Sequence, residues 1–179
     1  MRKMVAGLSV SLDGVTDSAR DWMMTGPETD QLINEGIARS DTILLGRKTF
    51  VEFEQIWPPM GDAFPMASFL NRTPKIVVSD TLTSTSWADT TIVRGAQAAD
   101  FLKDLKEQPG GEIKIPGSPS LVRWLLSVGL LDELGLLLHP LVVGRGAHLF
   151  DDVAERFPLA LKSSSTFSNG VLSLTYGPA

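Results

Sequence analysis

The 179-residue chain carries 16 Lys and Arg against 21 Asp and Glu, so its formal net charge is −5 at pH 7. This balance argues against nucleic acid as a partner, because phosphate-backbone binding needs clustered cations. The chain has no cysteine and only two histidines. Disulfides and thiolate metal sites are therefore excluded, a histidine-rich zinc site is not expected, and a cytoplasmic location is favoured. No apolar run approaches the ~20 residues that span a bilayer, so no membrane role is expected.

Strand and helix signals alternate along the chain. We predict strands over residues 4–10, 42–45, 75–79, 92–93, 113–115 and 132–143, and helices over residues 25–40, 48–56, 96–108 and 117–129. Residues 57–65 are interrupted by proline and glycine and are expected to be irregular. Asn169-Gly170 lies between two β-prone runs and predicts a C-terminal hairpin. This order predicts a single α/β domain over residues 1–179, with a mostly parallel central sheet, helices on both faces and an antiparallel hairpin.

Two helix starts carry specific signals. Thr25 and Glu28 stand at capping-box spacing, and Ser118 is expected to cap a helix that begins at Pro119. The apolar face of the first helix is predicted to contain Leu32, Ile33 and Ile37.

Three strand-to-helix turns are suited to phosphate, and parallel sheets bind ligands at the carboxyl ends of their strands. The first turn, residues 46–49, combines a glycine, two cations and a hydroxyl with the free N–H groups of a helix start. The second is Gly117-Ser118, and the third is Ser79-Asp80. Each also has a plainer interpretation, namely solvated cations, simple capping and an ordinary strand end. All three are expected at one sheet edge, where a dinucleotide would use them together.

Two well-known nucleotide motifs are absent. No G-x-x-x-x-G-K-[ST] sequence occurs, which excludes a P-loop. The segment "GRGAHL" at residues 144–149 has a leucine where the dinucleotide fingerprint requires its third glycine. It also follows a late strand, so we interpret it as a loop between strands.

The segments "SLDG", "ILLGRKTF", "KIVVSDTL" and "GSPSLVRWLLSVGLLDEL", followed by "LHPLVVGRGAHLF", occur in this order. Together they resemble the dihydrofolate reductase superfamily, and most closely its branch related to the riboflavin-biosynthesis reductase domain. The resemblance covers nearly the whole chain. It implies a three-layer dihydrofolate-reductase-like fold that binds NADPH and transfers a hydride to a carbonyl, an imine or a pterin-like ring.

The resemblance also assigns cofactor contacts. Arg47 is expected to meet the 2′-phosphate of NADPH together with Ser79, which favours NADPH over NADH. The family's pyrophosphate and ribose segment corresponds to the turn and helix start after residue 116. The full set of expected cofactor residues is Gly46, Arg47, Lys48, Thr49, Ser79, Gly117, Ser118, Ser120 and Leu121. Folate enzymes have a Gly-Gly pair, often with a cis peptide, where this chain has Pro116-Gly117.

The substrate side is expected around a carboxylate on the first helix. A gapless count from residues 46–49 places that carboxylate at Asp30, with Ile33 and Asn34 beside it on a substrate-facing surface. His139 ends an apolar strand at a position where the family has a polar residue, and we hypothesise an Asp30–His139 pair that supplies a proton. The alternative interpretations are that Glu28 and Asp30 only favour the positive helix start and that His139 packs structurally against Pro140.

Two further residues are substrate-side candidates. The resemblance places Asp13 of "SLDG" near a substrate ribose, although Asp-Gly is also an ordinary turn dipeptide. Trp22 can stack on a flat substrate ring, or serve as a core or interface residue.

The best-supported named activity is that of a 5-amino-6-(5-phosphoribosylamino)uracil reductase, with dihydrofolate reductase second. No deaminase domain, second phosphate turn or arginine for a folate glutamate tail is identifiable. A non-catalytic NADPH sensor is the alternative from another class. The resemblance also makes a homodimer plausible, and a small molecule is the expected substrate.

Overall fold

The computed structural model describes residues 1–153 and 156–179. Its strands are β1 (Met4–Ser11), β2 (Ser40–Gly46), β3 (Lys75–Val78), β4 (Thr90–Val93), β5 (Glu112–Ile115), β6 (Glu133–His139), β7 (Leu159–Thr166) and β8 (Leu172–Pro178). Its α-helices are α1 (Pro27–Arg39), α2 (Arg47–Ile56), α3 (Pro65–Arg72), α4 (Gly95–Glu107) and α5 (Pro119–Ser127). Short 3₁₀ turns cover Ala19–Asp21 and Pro58–Met60.

All eight strands form one sheet in the order β4-β3-β2-β5-β1-β6-β8-β7. The pairings from β4 across to β6 are parallel, while β6–β8 and β7–β8 are antiparallel. The predicted α/β architecture, with a mostly parallel sheet and a C-terminal hairpin, is therefore confirmed. None of the helices in the described ranges is long and apolar enough to cross a membrane.

Two apolar cores, one on each face of the sheet, hold the layers together. Alternate β2 residues divide between them, because successive side chains of a strand point to opposite faces. Leu44 belongs to the core under α4 and α5, whereas Ile43 and Leu45 belong to the core under α2 and α3. The side of the sheet that carries the core under α2 and α3 is called the α1 face below, because α1 also packs on it through Ile37. The three-layer prediction is thus confirmed.

One helix and one strand end differ clearly from the sequence prediction. Helix α3 was not predicted, because its eight residues directly follow a proline- and glycine-rich stretch that masks their helical pattern. Strand β6 ends at His139 rather than at residue 143, since the following proline has no N–H for the ladder. The N–H groups of Val143 and Gly144 donate instead to the carboxylate of Asp13.

The predicted capping box of α1 is wrong. The cap position is Gly26, and the Glu28 carboxylate accepts the backbone N–H of Ser168 in the β7–β8 turn instead of capping its own helix.

The predicted apolar face of α1 is correct only in part. Ile33 is half-buried and Ile37 packs against the core, whereas Leu32 is 37% exposed. Thr29 and Gly36 are buried. The inner side of α1 thus combines two small residues with the two isoleucines and excludes Leu32.

A buried lysine closes the end of α3. Lys75, the first residue of β3, is 1% exposed, and its Nζ donates to the carbonyls of Leu70 and Thr73 at 3.0 and 2.8 Å. The same Nζ lies 4.8 Å from the ring centroid of Trp87. Burial lowers the pKa of this amine. The lysine satisfies carbonyls that a helix C-terminus leaves without partners.

We therefore predict that Lys75→Met lowers the free energy of unfolding by about 2–4 kcal/mol, because two buried carbonyls lose their donor. Urea denaturation measures the change. Lys103→Met on the exposed surface of α4 is the control and should stay within about 0.5 kcal/mol of the wild type. A Lys75 variant as stable as the control would contradict the assigned role.

Candidate functional site

Two turns that are distant in sequence meet at the carboxyl edge of the sheet. Strands β2 and β5 are adjacent and parallel, so the turns that follow them lie side by side. The Ser118 Oγ accepts the backbone N–H of Gly46 at 2.9 Å. A Cβ on Gly46 would lie 3.1 Å from that Oγ, tighter than ordinary contact. Only glycine therefore allows this approach without a shift of its neighbour.

Gly117 gives the second turn its shape. Its φ is +112°, a conformation that favours glycine, and the next residue, Ser118, also has a positive φ of 63°. The position of a Gly117 Cβ would be 3.7 Å from the Thr49 Cγ2, so the two predicted phosphate turns are in contact here as well. All described peptide bonds, including those around Pro116, are trans.

The predicted side-chain cap at the start of α5 is not formed. Ser118 is at the cap position and Pro119 begins the helix, as expected, but the serine makes no hydrogen bond to its own helix. Its hydroxyl is turned toward Gly46 instead, and the side chain is 4% exposed. The first-turn N–H groups of α5 are therefore left for another acceptor. Ser120 is exposed at this helix start, whereas Leu121 is buried in the core.

A polar row continues from these turns along the sheet edge. The strand register places Gly46, Val78 and Val93 side by side at the ends of β2, β3 and β4. The residues that follow them are Arg47, Ser79 and Arg94. Arg47, Arg94 and the neighbouring Lys48 are exposed, and Thr49 is half-buried. Guanidinium groups in such a row can bind phosphate oxygens in a bidentate manner.

The Ser79 hydroxyl is already engaged as an acceptor. Its Oγ accepts the backbone N–H groups of Thr81 and Leu82 at 3.2 and 2.9 Å, which leaves its proton to be donated. Asp80 beside it accepts the N–H of Gly95, and the Arg94 guanidinium donates to the Asp80 carbonyl. These bonds fix the loop that presents Arg94 at the edge.

His139, which we predict to face the substrate, lies at the end of β6 on the α1 face. It is 1% exposed, and its Nδ1 accepts the backbone N–H of Met24 at 3.1 Å. A backbone N–H can only donate, so Nδ1 is unprotonated and the ring proton lies on Nε2. Nε2 is buried and has no hydrogen-bond partner among the described residues. Burial lowers the pKa of this imidazole, which favours the neutral ring.

The hypothesised Asp30–His139 pair is not formed. The histidine's Nδ1 is used by Met24 and its Nε2 has no partner within the described ranges, while Asp30 is exposed on α1. The gapless count thus selects a residue on the exposed side of α1. At that level, the residue that faces inward is Thr29, whose Oγ1 is buried without a partner in the part of the chain described.

The other predicted substrate-side residues are only partly brought together. Ile33 is half-buried on the side of α1 that packs on the sheet, one turn beyond Thr29, whereas Asn34 is exposed. Trp22 lies edge-to-face with the His139 ring at a centroid distance of 5.5 Å, and its Nε1 donates to the Asp17 carbonyl. Trp22 therefore covers the histidine. Stacking of Trp22 on a substrate ring stays a prediction.

Asp13 holds a loop in place. Its Oδ1 accepts the Ser11 hydroxyl at 2.6 Å and the Val143 N–H at 3.1 Å, and its Oδ2 accepts the Gly144 N–H at 2.8 Å. The Ser11 hydroxyl and then the two backbone donors lower the pKa of Asp13 to about 2. The carboxylate thus connects the turn after β1 to the loop after β6.

The same loop is also hydrogen-bonded to helix α5. The Arg123 guanidinium of α5 donates to the Leu149 carbonyl at 2.9 Å, and His148 forms an antiparallel bridge with Val15. Loop residues 140–149 are therefore bound by α5 on one side and by the β1 turn on the other. Across residues 1–153 and 156–179, no group of three or more histidines and carboxylates is placed to hold a metal ion.

Several residues of the site were not predicted from sequence. Arg94 follows β4 just as Arg47 follows β2, and a search for cations at every strand end would have found it. The contacts of Met24, Thr29 and Arg123 have no sequence signal, because they depend on which side of each element faces inward.

Comparison with known proteins gives a family match over residues 2–173, to the model described as the RibD C-terminal domain. A similar curated protein is the uncharacterized protein YyaP of Bacillus subtilis, which is 31% identical over 98% of this chain and 94% of its own length.

Solved structures with the same fold share less sequence. A Shewanella protein named for riboflavin biosynthesis has a TM-score of 0.78 at 22% identity, with 99% of both chains covered. A Thermotoga maritima deaminase and 5-amino-6-(5-phosphoribosylamino)uracil reductase has a TM-score of 0.69 at 15% identity, covering 99% of this chain and 57% of that one. An Enterococcus faecalis dihydrofolate reductase complexed with NADP(H) has a TM-score of 0.67 at 14% identity, covering 98% and 95%.

We predict that Ser118→Ala lowers the free energy of unfolding by about 1–3 kcal/mol, because the part-buried Gly46 N–H loses its acceptor. Chemical denaturation measures the effect. Ser120→Ala, on the exposed side of the same helix start, is the control and should change stability by at most about 0.5 kcal/mol. Equal stability of the two variants would show that the bond between the turns contributes nothing.

We also predict that Asp13→Asn loosens the loop after β6, because an amide cannot accept three hydrogen bonds as the carboxylate does. Hydrogen exchange at Val143 and Gly144 should become faster. The folded-state pKa of Asp13 lies below its ordinary value of 3.8, so its stabilisation is present above pH 3.8 and lost as the pH falls towards about 2. The variant should lose this acid dependence, and the exposed control Asp104→Asn should not.

Proposed function

This chain belongs to the family of RibD C-terminal domains, and we propose that it is an NADPH-dependent reductase. The observation that carries the proposal is the pair of turns joined by the Gly46–Ser118 hydrogen bond, with a row of cations beside it. The named relatives include reductases, and one of them is described with NADP(H).

The residues present suit a dinucleotide. Gly46 and Gly117 let the two turns approach each other closely, and the N–H groups of the first turns of α2 and α5 are directed to the same edge. Arg47 and Arg94 add charge for phosphate oxygens. The second arginine supports NADPH over NADH, since the extra 2′-phosphate is the feature that a cationic row would distinguish.

NADPH, when bound, would supply a hydride. The chain itself would bind and orient the substrate on the α1 face. There, neutral His139 offers its Nε2–H as a donor, Trp22 covers the ring, and Asp13 holds the nearby loop. A histidine that stays neutral can donate a hydrogen bond to a substrate acceptor without carrying charge into the buried site.

The named activity that we propose is reduction of 5-amino-6-(5-phosphoribosylamino)uracil or a closely similar compound. Family membership supports it. Dihydrofolate is the less favoured substrate, because the carboxylate expected to serve a pterin ring, Asp30, is exposed and pairs with no described residue of the pocket. The cytoplasmic location and the homodimer stay predictions.

The cofactor proposal is tested with Arg47→Ala. Titration of NADPH and NADH, followed by quenching of tryptophan fluorescence, should show NADPH bound more tightly by the wild type. The variant should weaken NADPH binding roughly 10–100-fold and leave NADH nearly unchanged, because a charge-assisted bond to phosphate is lost. Lys162→Ala on β7, at the far side of the sheet, is the matched control. If neither nucleotide binds, the reductase proposal fails.

The reaction itself is tested by loss of NADPH absorbance with 5-amino-6-(5-phosphoribosylamino)uracil and, separately, with dihydrofolate. Turnover of the first compound supports the named activity, and turnover of only the second would replace it. Tight NADPH binding with no turnover of either would favour the sensor alternative.

A further inference from the structure

A lysine on the α1 face lies in a space left by two glycines. The Lys114 Nζ of β5 is 2.9 Å from the position that a Cβ on Gly36 of α1 would take, and 3.8 Å from the corresponding position on Gly7 of β1. No other described atom comes within 4 Å of the Gly7 position. A Cβ on Gly36 would force the ammonium group to move, whereas the distance at Gly7 is an ordinary contact, so it is the glycine of α1 that lets the amine lie between the helix and the sheet.

The lysine extends toward the sheet edge where the cofactor turns lie. Lys114 is paired with Val5 in the β1–β5 register, yet its Nζ lies over Gly7, two residues nearer to the carboxyl end of β1. Beside Gly7 in the next strand is Gly135, and the only described atom within 4 Å of its Cβ position is a backbone oxygen. The sheet surface at Gly7 and Gly135, beside the Lys114 amine, therefore carries no side chain of its own.

The Lys114 amine has no hydrogen-bond partner among residues 1–153 and 156–179. Three charged groups influence it, which are Glu112 on β5, Glu133 on β6 and Arg39 on α1. Each of the carboxylates is bound to a different cation, since Glu112 pairs with Arg39 at 3.1 Å and Glu133 pairs with Lys3 at 2.6 Å. Within the described residues, no acceptor makes a hydrogen bond to the Lys114 Nζ. The second carboxylate oxygen of Glu112 is also without a partner, but the lysine leans away from it.

We propose that Lys114 is a substrate-binding residue, whose Nζ donates to an oxygen acceptor on a flat ligand that lies over Gly7 and Gly135. The inference rests on the proposed reductase function and adds a residue that the sequence did not suggest. The ligand class is a ring that bears carbonyl or anionic oxygens, because this face offers unused donors from Lys114 and from His139.

Two further features agree with a role in binding. Lys114 is half-buried as a residue, so part of it is exposed to solvent. Burial is nevertheless the main cause that lowers the pKa of its amine. A partly desolvated amine whose nearby carboxylates are bound to other cations is costly to keep, and an oxygen acceptor from a ligand would offset that cost.

The binding test uses the full chain saturated with NADP⁺, which allows binding without reduction. Titration with 5-amino-6-(5-phosphoribosylamino)uracil should show affinity roughly tenfold or more weaker for Lys114→Met, with a partial return for Lys114→Arg, which keeps donors. Lys103→Met is the control, and NADP⁺ affinity should be the same in all four proteins. Unchanged affinity for the uracil compound in Lys114→Met would overturn the proposal.

A chemical test does not depend on knowing the substrate. Trinitrobenzenesulfonate, a flat anionic reagent for uncharged amines, should label Lys114 faster than exposed Lys103 at mildly alkaline pH, as quantified by peptide mass spectrometry. Labelling of Lys114 no faster than Lys103 would overturn the proposal, since the amine would then be occluded or paired. This result stands apart from NADPH binding, so a failure of the reductase proposal and a failure of the Lys114 proposal are distinguishable.

Discussion

The parallel pairing of β2 with β5 is the constraint on which the candidate site depends. These strands are more than 60 residues apart in sequence, and only their adjacency brings Gly46 within hydrogen-bond distance of Ser118. The bond replaces a helix cap with a link between two turns, and so leaves the start of α5 with free donors. The packing of the sheet and the donors that we propose for phosphate therefore have the same origin.

The sheet separates two kinds of chemistry. Along its carboxyl edge, from β5 to β4, cations and backbone donors suit the phosphates of a nucleotide. On the α1 face, the polar atoms without described partners include the histidine Nε2 and the Lys114 amine, both of which donate, and the Thr29 hydroxyl. The Asp13 carboxylate, in the turn after β1, is occupied by loop donors. The loop after β6 contacts both regions, through Asp13 on one side and through Arg123 on the other. A displacement of this loop would therefore alter contacts in both regions.

The sequence was sufficient for the alternation of elements and for the three turns, because hydrophobic periodicity and turn chemistry are local properties. It was not sufficient for the inner side of α1. Leu32 and Asp30 looked suitable for that side, but the small residues Thr29 and Gly36 are buried there, and the Lys114 amine occupies the space beside Gly36. The same limit explains why Ser118 was predicted to cap its own helix. The residues that surround Ser118 in the sequence give no sign that its hydroxyl accepts the Gly46 N–H, which comes from a different strand-to-helix turn.

The position of β1 has a consequence for how the chain acquires its structure. Strand β1 lies in the interior of the sheet, and its two neighbours, β5 and β6, follow it in the chain by more than 100 residues. Contacts of such sequence separation carry a large loop-closure cost, and folds dominated by them form slowly. An apolar strand must therefore stay without its neighbours in the sheet until β5 and β6 have been synthesised. His139 stands at the end of β6, so the surroundings of its ring can form only after that delay.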